Sequence, residues 1–290
     1  MKNRSFFLVL AVLAVAMVSC KTEYEVLLEG NDLDAKFAAA FDYFNQGKYS
    51  RSAQLFESLA SVSSGTERDD TVQYYWGLSN YRYKDYYTAE TNFTNFVTNH
   101  PLSPFAQDAY YYRIDCLYRE TLRYELDQKP TNAAIAAISQ YLADFPNTPY
   151  KTICGHMLDD LGERLDKKAF ENARLYYKME DYRAATAAFK NVLKDDSDNI
   201  YREDILYYVA MASYKFASMS VPEKQKERYL VFVDDYLNFV GEYESSQYRH
   251  ELDGLYRKVQ KILGRYPTVV SADEQSDDQE AEQTDQEAQD

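Results

Sequence analysis

GKYSRSAQLFESL runs from Gly47 to Leu59, KDYYTAETNFTNFV from Lys84 to Val97, and EDYRAATAAFKNVL from Glu180 to Leu193. Aligned on their tyrosines, all three carry a small residue three positions on and a Phe seven positions on: Tyr49, Ser52, Phe56; Tyr86, Ala89, Phe93; Tyr182, Ala185, Phe189. Such offsets share one face of an α-helix. Degenerate copies stand at Ala134, Ala137, Tyr141 and at Tyr229, Phe232, Tyr236. The five starts recur at intervals of 37 to 48 residues, which predicts an all-α array of about five helical units.

A second helix precedes the strongest copies and ends in aromatics and a short polar turn, as in AAAFDYFNQGKY and ARLYYKMEDY. Here the chain resembles the tetratricopeptide repeat. Ala40, Tyr43, Gly47, Tyr49, Ser52 and Phe56 match its pattern in the first unit; Gly77, Tyr81, Asp85, Tyr86, Ala89 and Phe93 in the second; Ala173, Tyr176, Tyr177, Asp181, Tyr182, Ala185 and Phe189 in the fourth. The resemblance implies a solenoid of helical hairpins, closed by a capping helix over about Ser246 to Leu263. Tyr49, Phe56, Gly77, Tyr86, Ala89, Phe93, Tyr182, Ala185 and Phe189 are then packing positions, small residues admitting a close helix and rings filling the gap. The intervals exceed the basic repeat of about 34 residues, so helices such as Phe105–Leu126 and Lys151–Met179 are expected to be long.

Between units the chain reads HPLSPF at His100–Phe105 and FPNTPY at Phe145–Tyr150. Pro101 and Pro146 lack an N–H and end a helix, Ser103 and Thr148 are expected to cap the next one, and Pro104 and Pro149 suit its first turn. The motif reads as a joint between repeats.

At the N-terminus, Lys2 and Arg4 precede thirteen apolar or small residues, Phe6 to Val18, and then Ser19-Cys20, the layout of a secretory signal. AMVSC resembles the lipobox of bacterial lipoproteins, which implies removal of residues 1–19 and acylation of Cys20, a membrane tether, with 20–33 as linker. The solenoid is expected over 34–266. From Ala272 the chain carries nine carboxylates with no base or aromatic, so 267–290 is expected to be a disordered acidic tail. A composition of 46% hydrophobic and 27% charged residues supports a real core, while a net charge of −15 with no basic run argues against nucleic acid as a partner. Cys116 and Cys154 both fall within helical patterns and are expected to be unpaired core thiols.

Nothing converges as catalytic chemistry must. His100, His156 and His250 lie in separate segments, no zinc-ligand spacing occurs, and Asp159-Asp160 and Asp234-Asp235 are adjacent in helices, so their carboxylates diverge by about 100°. No metal and no cofactor is implied. A lytic enzyme of peptidoglycan would need a catalytic domain for which no chain is expected after Leu263. A repeat array offers instead a concave peptide-binding surface, and outward positions of the first helices make Phe37, Phe41, Phe44, Tyr74, Leu78, Tyr81 and Arg82 the groove candidates.

Lipobox, long tetratricopeptide-like units and Pro-x-Ser/Thr-Pro-aromatic joints together resemble the BamD family, outer-membrane lipoproteins of the β-barrel assembly machinery. The resemblance implies a non-enzymatic scaffold, lipid-anchored on the periplasmic face of the outer membrane. Its N-terminal half, about 34–145, would receive unfolded outer-membrane β-barrel proteins. Its C-terminal half, about 146–266, would dock the periplasmic domains of the barrel insertase BamA. The rival within scaffolds is an adaptor of another envelope complex, in secretion or cell-wall assembly.

Overall fold

The computed structural model describes residues 22–265, and every regular element among them is a helix. They form two compact units divided between Gly162 and Glu163. The signal sequence, the acylation of Cys20 and the acidic tail lie outside the described residues. The first unit holds α1 (Glu23–Glu29), α2 (Leu33–Asn45), α3 (Tyr49–Ser63), α4 (Asp69–Tyr83), α5 (Tyr86–Asn99), α6 (Ala106–Arg119), α7 (Lys129–Asp144) and the first part of α8 (Lys151–Lys178). The second holds the rest of α8, α9 (Tyr182–Asp195), α10 (Arg202–Ser218), α11 (Pro222–Glu242) and α12 (Arg249–Leu263). Within each unit, successive helices pack as hairpins, α2 on α3, α4 on α5, α6 on α7 and α10 on α11, the arrangement of tetratricopeptide repeats.

One local rule builds the hairpins. The turn residue two places before the tyrosine is left-handed in three repeats, at Gly47 (φ 73°), Lys84 (φ 70°) and Glu180 (φ 62°). That conformation costs a non-glycine residue about 1–2 kcal/mol, which packing must offset at Lys84 and Glu180. Asp85 and Asp181 then cap the second helix by accepting from the amides of Thr88 and Ala184. The tyrosine stands half-buried, edge-on to an aromatic near the end of the first helix: Phe44–Tyr49 at 5.4 Å, Tyr81–Tyr86 at 5.7 Å and Tyr177–Tyr182 at 5.4 Å. Three residues on, Ser52, Ala89 and Ala185 are fully buried, and seven on, so are Phe56, Phe93 and Phe189. Gly77 is required by this contact, since a Cβ there would lie 3.0 Å from the Phe93 ring. Each Phe stacks on a tyrosine of the following first helix: Phe56 on Tyr75, Phe93 on Tyr112 and Phe189 on Tyr208.

The joints do more than punctuate. Ser103 and Thr148 do not cap α6 or α8; they accept from amides only two residues on, Phe105 and Tyr150, and Asn199 and Ser246 do the same for Tyr201 and Tyr248. Each small turn throws a ring back onto the preceding repeat, where it stacks on an aromatic of the first helix: Phe105 on Tyr74 at 4.6 Å, Tyr150 on Tyr111 at 3.7 Å, Tyr201 on Phe170 at 4.9 Å and Tyr248 on Tyr207 at 4.0 Å. An aspartate three or four residues before that aromatic closes the clamp. Asp70 accepts from the Ser103 hydroxyl, Asp108 from Tyr150, Asp204 from Tyr248, and Asp166 from the Ile200 amide. In the first joint a guanidinium replaces the ring: Arg68 lies 4.8 Å over Phe37 and pairs with Asp34 at 2.6 Å.

Two helix lengths differ from expectation. The first helix of the third repeat ends at Arg119, not Leu126, because Thr121 donates to the Tyr118 carbonyl and Gln128 folds its amide onto the carbonyls of Arg123 and Leu126. Part of the third interval is therefore a fastened loop. The closing helix begins at Arg249, with the Ser246 turn outside it. By contrast, α8 spans 28 residues over nearly the expected range. Cys154, Met157 and Leu161 on its first part pack in the core of the first unit, and Phe170 and Ala173 in that of the second.

Candidate functional site

The groove candidates do not line an open groove together. Tyr74 and Leu78, 5% and 7% exposed, are core residues, Tyr74 sandwiched against Phe105 and both packed with Phe93. The stripe therefore faces the neighbouring helices of the stack, and their assignment to a ligand surface is corrected. Phe41 and Phe44 are half-buried against Tyr75, at 4.7 and 5.4 Å, and Phe41 also meets Phe56 at 5.1 Å; they join the first repeat to the second. Tyr81 donates at 2.5 Å to Asp115, which is 1% exposed and also held by Arg119. Burial and this hydrogen bond to a carboxylate push the Tyr81 hydroxyl well above its ordinary range. Arg82 is exposed.

Two of the candidates reach a cavity, Phe37 in the first unit's cup and Arg82 in a separate concavity at the hairpin turns. About 460 Å³ open between the start of α2, the end of α3 and the first joint, with Leu33, Phe37, Leu59, Val62 and Val72 as apolar walls and Arg68 at the rim. Leu33 and Val62 are exposed although large and apolar. Asp34 and Glu67 complete the lining, and Arg68 is already paired with Asp34, so the cup offers an apolar floor with a mixed-charge rim and suits an aromatic or branched side chain. Sequence reasoning missed Val62 and Arg68; the signal was an apolar residue in the polar run SVSSGTER, one turn before the joint.

In the second unit a cavity of about 440 Å³ is lined by Arg183, Phe216, Arg228 and Val231, with Arg228 lying 4.0 Å over the Phe216 ring. Leu230 and Leu237, seven residues apart on α11, lie exposed on one helix face. Many of the aromatics between Tyr201 and Tyr248 are buried: Tyr214, Tyr229, Phe232, Tyr236 and Phe239 form the core of α10, α11 and α12.

Reactive groups stay apart. No group of three His, Cys, Asp or Glu among the described residues could hold a metal. Cys116 and Cys154 are free and buried, and burial raises both thiols, so neither forms a ready thiolate. His100 sits in its joint against Phe96 and 3.9 Å from Asp69, while His156 and His250 are exposed. No helix among the described residues is long and apolar enough to cross a membrane.

Within each unit the hairpins and their shared core define a protein of the tetratricopeptide-like class. The chain belongs to the YfiO family of outer membrane lipoproteins, which matches residues 31–230. It is similar to outer membrane protein assembly factor BamD of Caulobacter vibrioides, 23% identical over 205 residues that cover 70% of this chain and 67% of the relative. Among solved structures it is similar to a TPR repeats protein of Bacteroides fragilis, with 16% identity, a TM-score of 0.39, and coverage of 80% of this chain and 100% of that one. A tetratricopeptide repeat protein of Parabacteroides merdae gives 12% identity, a TM-score of 0.32, and coverage of 83% and 96%.

Proposed function

We propose that this chain is a non-enzymatic scaffold of outer-membrane β-barrel assembly, tethered through acylated Cys20 to the periplasmic face of the outer membrane. The first unit receives unfolded barrel proteins and the second docks the BamA-like insertase through its periplasmic domains. Family membership and the similarity to an assembly factor support the process. The cup at Phe37 carries the substrate reading, because an apolar cavity of this size suits an aromatic side chain of an extended strand. For the insertase, the exposed leucines of α11, Leu230 and Leu237, supply the apolar centre that a persistent interface needs.

Fluorescence anisotropy of a labelled peptide ending in an aromatic-rich strand tests the cup. Val62→Asp, at an exposed wall position, is expected to weaken binding at least tenfold without moving the melting temperature, since a buried apolar contact is replaced by an unpaired charge. Unchanged affinity would remove the cup from the substrate path. Recovery of the insertase periplasmic domains on Leu230→Glu/Leu237→Glu protein is expected to fail while peptide binding persists. Full recovery would place docking elsewhere.

A further inference from the structure

At the opposite end of the α2/α3 hairpin from the cup, the turns of the first two repeats enclose an open concavity of about 510 Å³. Its lining comprises Lys48, Arg51, Arg82 and Lys84 with Tyr49 and Tyr83, and contains no carboxylate. Among the described residues none of these four cations has a carboxylate oxygen within 4.0 Å. Lys48 and Arg51 lie instead over the faces of tyrosines, Lys48 at 5.5 Å from Tyr43 and Arg51 at 5.1 Å from Tyr24 and 5.6 Å from Tyr43. Tyr83 is 58% exposed, an amphipathic ring at the rim. In a chain of net charge −15, four converging cations without acidic partners are the exception that asks for an anion.

Chain connectivity says which anion. Tyr24 is fastened to the cradle's edge, its hydroxyl donating to the Arg51 carbonyl at 3.2 Å and to Gln54 at 2.8 Å. Tyr24 lies only four residue steps from Cys20, a reach of at most about 14 Å. An acyl anchor at Cys20 therefore holds the cradle close to the headgroups, within one or two screening lengths of about 8 Å. We infer that the Lys48-Arg51-Arg82-Lys84 cradle is a docking surface for anionic phospholipid headgroups that orients the first unit on its membrane. The tyrosines serve as interfacial rings and the cations cancel, at this one place, the repulsion between an acidic protein and an acidic surface. The cup at Phe37 would then face away from the bilayer, since α2 separates it from the cradle by about 20 Å.

The inference rests on the reading of Cys20 as the anchor but is tested without it. The mature chain from residue 20 onward, carrying Cys20→Ala so that no acyl group is attached, is sedimented with vesicles of phosphatidylcholine alone and of an equimolar mixture with phosphatidylglycerol. Binding is expected to the mixed vesicles only and to vanish in high salt. Lys48→Gln/Arg82→Gln/Lys84→Gln protein, altered at three exposed side chains, is expected to partition about a hundredfold more weakly, each basic group near an anionic surface being worth about a factor of five. Its unchanged circular dichroism melt would show that folding is not the cause. Equal sedimentation of wild type on both vesicles, or of wild type and triple variant on the mixture, overturns the inference. So does wild type that ignores vesicles but binds a labelled peptide of residues 272–290, which would make the acidic tail the occupant. Peptide capture by the cup and recovery of the insertase are independent of all these outcomes.

Discussion

Phe189 and Tyr182 stand seven residues apart on one face of one helix, yet the structure separates them energetically. Phe189 is fully buried between Phe170 and Tyr208, whereas Tyr182 lies half-buried at the hairpin turn against Tyr177. Phe189→Ala is expected to cost about 3–5 kcal/mol and Tyr182→Ala only about 1 kcal/mol, because the cavity term applies where the site cannot collapse or fill with water. Urea denaturation of both variants checks this, and equal losses would contradict it. Asp115 is a second sensitive position, a carboxylate removed from solvent and held by Tyr81 and Arg119. Its replacement by Ala strands both partners and is expected to destabilise by about 3–5 kcal/mol in the same assay. Offsets in the sequence located the Phe positions, but they could not tell a half-buried turn tyrosine from a core ring. They also put Tyr74 and Leu78 on a ligand surface, because a periodic stripe says that a face is buried and not against what.

At the scale of elements, the tyrosine-to-phenylalanine offsets were readable because each helix carries its own period, whereas the clamps were not. A joint ring and the aspartate that holds it are 42 residues apart for Tyr150 and Asp108 and 44 for Tyr248 and Asp204, beyond any local pattern. Proline chemistry explained where helices stop in these joints but gave no reason for the ring that follows. Stacking on the preceding repeat supplies that reason, and it also accounts for part of the wealth of tyrosine, a side chain that stacks and reaches a carboxylate at once. Backbone conformation gives a test at the hairpin turns. Gly47 adopts φ 73° with nothing within 4 Å of the point a methyl group would occupy, so Gly47→Ala introduces conformational strain without a clash. A loss of about 1 kcal/mol is expected in thermal melts. No loss would mean that this turn relaxes out of the left-handed region.

For the whole molecule, the clamps predict an alkaline limit. Tyr81, Tyr150, Tyr207 and Tyr248 each donate to a carboxylate and are all raised above the ordinary value of 10.0, Tyr248 to about 12, chiefly by its bond to Asp204. A group raised in the folded state contributes stability that is complete below its unfolded value and is lost as pH climbs through the folded one. Stability is therefore expected to be insensitive to these tyrosines up to about pH 10 and to fall steeply between about 10 and 12, as the unfolded chain releases its phenolic protons first. Denaturation midpoints measured across that range check the slope; Tyr248→Phe should flatten it, and an unchanged slope would deny the clamp its proton. The account's central claim, a scaffold for barrel assembly, is tested most directly by isolating the intact lipoprotein from detergent-solubilised membranes and identifying what comes with it. Recovery of an outer-membrane barrel protein bearing several periplasmic domains, lost with Leu230→Glu/Leu237→Glu, is the expected result; consistent recovery of secretion or cell-wall components in its place would contradict the account.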